Sequence, residues 1–482
     1  MLRTNIIAVV LLLPLFAACE RRSPSRPPAS PRPAHAAAPH ASAKAPQVEP
    51  TPEPLPCPDK PNILLISLDT LRFDATSLGP NGKNRTPYLE QLAGVGLNFV
   101  RAYSTHDSTP YSHFSMLTGY INGYQSPVDV PEISLAHQLK QRGYRTWGVS
   151  ANGNLSPKFT RSMQPFGSFV NLHELWQELP ADRKAAMLPK LDAHLAEYDH
   201  ALTEWNRMML FSMGGAIFRH IEPRLDGKQP FFGMINLLHA HDPYLPTPSS
   251  YDQQREKKGV TVPDLRNRPV LPELADPTTI SDERRRAEVL DTLARSNVGA
   301  LATTFDLSAE QLAIYRRRYH ARVRELDAAV GEIVRELRER KLLDSTILVI
   351  TSDHGEAFGE RNLITHSFGN RGDLEATNRV PLVIVLPPCY RVAPRAVDTL
   401  CTIADIPPTL YDLLGIDAHP IWKRTVPGNV GRSLLPYAGD RNIAAAARTV
   451  AATTPAQPLT AAERRKQDEE ALKRFKALGY LR

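Results

Sequence analysis

Five largely apolar runs limit what this chain can become: residues 62–68, 146–150, 231–238, 346–351 and 380–386, each of strand length and each bounded by turn-forming or charged residues. A strand that is apolar at every position must be buried on both faces, as in a sheet covered by helices on both sides. Helical periodicity lies between the runs. Thr86-Pro87 predicts a helix start, followed by Leu89, Leu92 and Ala93 and an end at Gly94 or Gly96. A longer helix is predicted over about 309–341. The alternation predicts an α/β fold, a mixed but mostly parallel sheet between helices.

The residues that follow the runs carry the chemistry. Asp69 comes directly after the first, Asn152 soon after the second, His239 and His241 after the third, and Asp353 with His354 after the fourth. Ligands of open α/β sheets bind at the carboxyl ends of strands, so these polar groups should converge. One Asp in such a place usually caps a helix or makes a turn. Four clusters together describe a site for Mn²⁺, Zn²⁺, Ca²⁺ or Mg²⁺. A hydroxyl joins them from residues 108–119: Pro110 at the first helical position makes Thr109 the N-cap, with Gly119 near the helix end. There a hydroxyl faces free N–H groups that favour an oxyanion, and beside a cation it could ionise and attack.

With 482 residues, 42% hydrophobic and 23% charged, the chain can bury a large core, which excludes wholesale disorder and a small disulfide scaffold. A net charge of +7 is thin at this length and predicts no nucleic-acid partner. Arg3, the apolar run 6–16 and the small Ala17 and Ala18 before Cys19 resemble a bacterial lipoprotein signal peptide over 1–18, with Phe16 where that pattern prefers Leu. The resemblance implies lipidation of Cys19 and a membrane-anchored protein facing the periplasm or the cell surface. Residues 19–58, dominated by Pro, Ala, Ser and Arg, predict a disordered tether with a reach on the order of 100 Å. Cys57, Cys389 and Cys401 are too few for a cysteine metal site, and a Cys389–Cys401 bridge is compatible with export.

The runs PNILLISLDTLRFD, TPYSHFSMLTG, HDPYLP, TSDHGEAFGE, RVPLVIVLPP, DIPPTLYDLLGI and GRSLLP, in this order, resemble the motifs of the sulfatase family within the alkaline phosphatase superfamily, over roughly 61–482. The resemblance implies an alkaline-phosphatase-like catalytic domain over 59–390, with unmatched insertions at about 176–227 and 251–304. A smaller C-terminal α+β subdomain would follow over 391–482, ending in a helix over about 461–478. Asp69, Asp353 and His354 match the family's metal ligands. His241 and His366 match histidines that touch the sulfuryl or phosphoryl group or the leaving oxygen. Thr109 falls at the nucleophile position, which makes it a fourth metal ligand. Asn152, His239 and Arg72 are the remaining candidates for substrate contact, although salt bridging is the ordinary reading of Arg72, and support of a metal ligand, ligation of a second cation or a plain strand-end role compete for His239.

The departures from the pattern carry information too. Sulfatases oxidise the Cys or Ser of a Cys/Ser-x-Pro-x-Arg signature to formylglycine, and here Ser108-x-Pro110 has Ser112 in place of the arginine. The lysine that follows the second strand in sulfatases is replaced by Ser150-Ala151-Asn152. These departures count against formylglycine and towards a Thr109 nucleophile acting on phosphate mono- or diesters, by hydrolysis or transfer. A sulfatase acting on sulfuric esters is the enzymatic alternative, and a non-catalytic surface lipoprotein is the third reading.

Overall fold

The computed structural model describes residues 57–438, apart from 81, 83–85, 122–130, 159, 199, 201, 253–255, 257–259, 261, 263–281, 284–306, 361–362, 367–373, 418–421 and 423–429. The signal segment, Cys19, the tether and the terminal helix over 461–478 lie outside the described residues, as does most of 251–304.

The apolar runs become the middle of one sheet. Strands β1 (Asn62–Leu68), β3 (Arg145–Ser150), β5 (Phe231–Leu237) and β6 (Thr346–Thr351) run parallel, and β9 (Leu382–Val385) lies antiparallel between β6 and β2 (Leu97–Tyr103). With β4 (Ser168–Asn171) and β10 (Arg395–Thr402) at the edges, the order is β10-β2-β9-β6-β1-β5-β3-β4. A separate two-stranded piece pairs β7 (Ala357–Phe358) with β8 (Ile364–Thr365).

Strand alternation explains why the runs are apolar throughout. Leu64, Ile66 and Leu68 of β1 enter one apolar cluster, and Ile63 and Leu65 enter the other, on the opposite face. In β6, Leu348 and Ile350 go one way and Ile347 and Val349 the other. The first face is covered by helices α1 (Pro87–Val95), α6 (Glu204–Met213) and α8 (Ala309–Glu339), through Leu89, Met209, Ile314 and Val330 among others. The second is covered by α2 (Thr109–Thr118), α3 (Leu135–Lys140) and α10 (Ile406–Leu413), through Met116, Leu139 and Leu410. The remaining helices are α4 (Leu172–Glu178), α5 (Ala181–Glu197), α7 (Phe218–Ile221) and α9 (Leu374–Thr377). The result is the expected sheet between two helical layers.

The segment expected to form a smaller C-terminal subdomain supplies β10, which pairs parallel with β2 as the edge of the main sheet. Two expectations change. The bridge is Cys57–Cys389, not Cys389–Cys401: Cys57 precedes β1 and lies 5.2 Å from Cys389 between Cα atoms, whereas Cys401 is a buried thiol in β10. The helix at 109 begins one residue early. Ser108 is the extended N-cap, Ser112 N donates to Ser108 O at 3.0 Å, and Thr109 is the first helical residue. Gly119 ends that helix with φ of 79°, a conformation that costs a residue with a side chain and suits glycine.

Thr86 holds the N-cap position of α1, but its hydroxyl accepts from Ser77 N instead of capping. The cap comes from α8: Asp327 accepts from Tyr88 N at 3.1 Å and Leu89 N at 2.9 Å. Burial pushes the Asp327 carboxyl up to about 6 although both amides pull it down. Replacing Asp327 with Ala should cost about 1–2 kcal/mol of stability, read by denaturant unfolding. The folded-state pKa lies above the unfolded one. Wild type should therefore gain stability relative to Asp327→Asn as the pH falls from 7 towards 4.

Candidate active site

The carboxyl ends of β1, β3, β5 and β6 deliver their polar residues to one place. Asp69, Asp353 and His354 are fully buried, and each offers a ligand atom within 4.8 Å of the others. Ser352 laces the two strand ends together, donating its hydroxyl to Leu68 O and accepting from Leu71 N at 2.9 Å. Asp353 Oδ1 accepts from Thr70 N at 3.1 Å and His354 N at 2.9 Å. Asp69 Oδ2 accepts from Asn152 Nδ2 at 2.9 Å and Asn236 Nδ2 at 3.0 Å.

Thr109 reaches the same point from the start of α2. Its Oγ1 lies 3.2 Å from His354 Nε2 and 3.4 Å from Asn152 Nδ2. As a helical residue it is released from capping, which leaves its hydroxyl for the site. His113, one turn later, sits 2.9 Å from Thr109 O through Nδ1 and 3.6 Å from Asp353 Oδ2.

Two backbone positions show how tightly the site is built. Thr70, directly after Asp69, has φ of 58°, and Thr365, directly before His366, has φ of 71°. A β-branched residue in the left-handed region is strained, and such strain persists where surrounding contacts hold it. Thr70 is held by its N–H to Asp353 and by the Tyr319 hydroxyl, which donates to its carbonyl at 2.9 Å. Gly355 follows His354 closely packed: a Cβ there would lie 2.0 Å from Ala376 O, so no side chain fits.

The residues fit a divalent cation. Among the described residues, Asp69 Oδ1 and Asp353 Oδ2 are buried without a hydrogen-bond partner, although the His354 and His113 rings lie 3.4 and 3.6 Å from Asp353 Oδ2, an arrangement costly for two carboxylates unless a cation sits between them. Burial pushes Asp353 up to about 7, and burial followed by the Asp353 charge raises Asp69. A bound dication reverses that logic. His354 Nδ1 lies 2.9 Å from Gly355 O, which makes Nδ1 the protonated nitrogen and leaves Nε2 as a ligand. Burial lowers His354 to about 4, so the ring is neutral, as ligation requires.

His366 and His241 stand over this group. The His366 ring is 4.4 Å from that of His354 and 5.0 Å from that of His241. His366 Nδ1 bonds Glu356 Oε1 at 2.9 Å, and burial lowers His366 to about 4. His241 behaves oppositely. Burial disfavours its charge, yet the Asp242 carboxylate, 2.8 Å from Nδ1, outweighs it and raises His241 to about 10. The two imidazoles are thus driven in opposite directions, His366 towards its neutral form and His241 towards its protonated one.

Arg72 and His239 take other places. The Arg72 guanidinium pairs with Asp74 at 2.7 Å and Glu360 at 2.9 Å and donates to Glu356 O, so it braces the loop behind His354. His239 accepts through its carbonyl from Arg322 at 2.7 Å, and burial lowers its ring to about 3. Asn236, His113, Glu356 and Asp242 were missed in the sequence. Asn236 is a polar residue inside an otherwise apolar run, which is a usable signal; Glu356 and Asp242 sit in quoted motifs, where each pairs with a histidine close by in the chain, His366 and His241.

A mostly parallel sheet with two buried carboxylates, an imidazole and a hydroxyl gathered at its strand ends defines an alkaline-phosphatase-like ester hydrolase. The chain belongs to the Sulfatase family, which it matches over residues 61–416. It is 24% identical over 401 residues to choline-sulfatase of Rhizobium meliloti (strain 1021), covering 78% of this chain and 71% of that one. It is 23% identical over 424 residues to arylsulfatase of Clostridium perfringens (strain 13 / Type A), covering 80% and 79%. The crystal structure of the phosphonate monoester hydrolase of Agrobacterium radiobacter has the same fold, with a TM-score of 0.50, 21% identity, and 78% of this chain and 77% of that chain covered. The protein is accordingly a hydrolase acting on sulfuric or phosphoric esters, and enzymes of this family use a divalent metal.

Cation binding should be visible without turnover. Adding Mn²⁺ or Ca²⁺ to chelator-treated protein is expected to raise its melting temperature. Asp353→Asn is expected to melt above wild type in chelator, because carboxylate repulsion is relieved, and to gain nothing from the cation. Thermal unfolding of both proteins with and without cation checks this.

Proposed function

We propose that Thr109 is the nucleophile of a metal-dependent phosphoester hydrolase. The supporting observation is the Thr109 hydroxyl, 3.2 Å from His354 Nε2 at the start of α2. Asp69, Asp353 and His354 hold the cation, and Thr109 completes the set. When bound, the cation supplies positive charge that favours the ionised hydroxyl and draws electron density from the ester.

The chain's own residues account for the rest. Thr109, ionised with its proton released to solvent, forms an Oγ–P bond as the ester P–O bond breaks, and His241, kept protonated by Asp242, gives its proton to the departing oxygen. Asn152 Nδ2 orients both Asp69 and the nucleophile, being within 3.4 Å of Thr109 Oγ1. Water then splits the phosphothreonine, with neutral His366, steered by Glu356, placed to accept its proton. A threonyl ester needs this second displacement, and metal-assisted attack of water at phosphorus is well suited to it.

The sulfatase reading is favoured by the likeness to choline-sulfatase and arylsulfatase. Assays with an aryl phosphate, an aryl phosphodiester and an aryl sulfate, together with mass spectrometry of the peptide holding Ser108 and Thr109, separate the two. The expected outcome is phosphoester cleavage, unmodified Ser108, and a loss of about a thousandfold or more in Thr109→Ala with the fold retained. Formylglycine in that peptide, or cleavage of the sulfate alone, would overturn the phosphoester reading.

The reading extends to location: an exported enzyme held to a membrane by lipid on Cys19. The signal-like N-terminus supports it, as does the Cys57–Cys389 disulfide, which suits an oxidising compartment. No described helix is long and apolar enough to cross a membrane. Fractionation of cells expressing Cys19→Ser is expected to move the protein from the membrane to the soluble fraction.

A further inference from the structure

The unmatched segment over 176–227 builds one wall of a cavity of about 290 Å³ that opens onto the reaction site. Asn152 and His241 line it at one end, and these are the residues that touch the nucleophile and donate to the departing oxygen. Away from them the walls come from α4 and α6. Met208, Met209 and Leu238 supply apolar lining, and Trp205, with 38% of its surface exposed, lines the cavity with them. The Trp205 indole is held edge-to-face against His173, 5.6 Å between ring centres.

Charge narrows what this cavity accepts. Its two fully charged side chains besides His241, Lys158 and Glu174, pair with each other at 3.2 Å, and Glu174 also takes the Ser156 hydroxyl. Neither is left to balance a charged ligand. The volume is at the small end for ligand pockets and gives room for one ring-sized group.

We infer that this cavity is the leaving-group site, and that it selects esters of a neutral, ring-sized alcohol laid flat against Trp205. This rests on the proposed chemistry for its direction, since the alcohol must depart past His241. Trp205 is the residue that sets specificity. A ring stacked on the indole gains dispersion and quadrupole attraction that a small alkyl group does not reach.

The test compares 4-nitrophenyl and methyl esters of phosphate, and of sulfate, in the full-length protein. The quantity read is the ratio of kcat/KM for the aryl ester to that for the methyl ester. Trp205→Ala is expected to lower this ratio about tenfold, Trp205→Leu to lower it similarly, and Trp205→Phe to retain most of it. Leucine keeps the apolar volume if alanine disturbs α6. A ratio unchanged in folded Trp205→Ala or Trp205→Leu overturns the inference. So does an equal preference for aryl esters carrying an added ammonium or carboxylate. Should wild type cleave neither ester class, the proposed chemistry fails separately. The cavity is then read by quenching of tryptophan fluorescence with 4-nitrophenol: saturable quenching lost in Trp205→Leu upholds it, and quenching that persists unchanged overturns it.

Discussion

The structure depends on keeping two fully buried carboxylates side by side. β1 and β6 are adjacent and parallel, and their register brings Ser67 beside Thr351, so Asp69 and Asp353 emerge from the sheet together. Each is tied down on one oxygen by amide groups, and each keeps the other oxygen without a hydrogen bond among the described residues. The apolar strands on both sides make this possible, because a sheet anchored by two clusters of buried Leu, Ile, Val and Phe can bear an unfavourable electrostatic arrangement at its rim. The strained Thr70 and Thr365 belong to the same arrangement, since relaxing either would swing Asp69 or His366 out of line.

What could be read from the sequence follows from what burial on both faces demands. The central strands were legible because each has to be apolar at successive positions, and the residue after each was conspicuous by contrast. β2, β4 and β10 were not legible. β2 has Asn98 and Arg101 on a half-buried face, β4 is short and partly exposed, and β10 alternates at the edge of the sheet. Partial exposure removes the continuous apolar signal. The Thr109 helix was read one residue late because Pro110 fits the first or second helical position equally well, and only the Ser112-to-Ser108 hydrogen bond decides between them.

The site divides in the same way. Its innermost groups, Asp69, Asp353 and His354, stand at strand ends, where a polar residue after an apolar run is conspicuous in the sequence. Asn236 acts by orienting Asp69, 167 residues away, and that role exists only once the two strand ends have met, whereas Glu356 and Asp242 steer histidines near them in the chain, whose own place at the site comes only with the fold. The lining of the cavity beside His241 is further still from sequence logic. Trp205 and Met208 lie in a helix whose pattern is ordinary, and their meaning comes from where α6 is set down.

The Cys57–Cys389 link joins points 332 residues apart, at the entrance to β1 and just beyond β9. Traction on the chain ahead of Cys57 therefore passes sideways, through a covalent bond, into the loop beyond β9 before it can load β1. Peeling β1 lengthwise from its neighbours would first require that staple to part. The aspartate at the far end of β1 is insulated from tugs on the segment that precedes it.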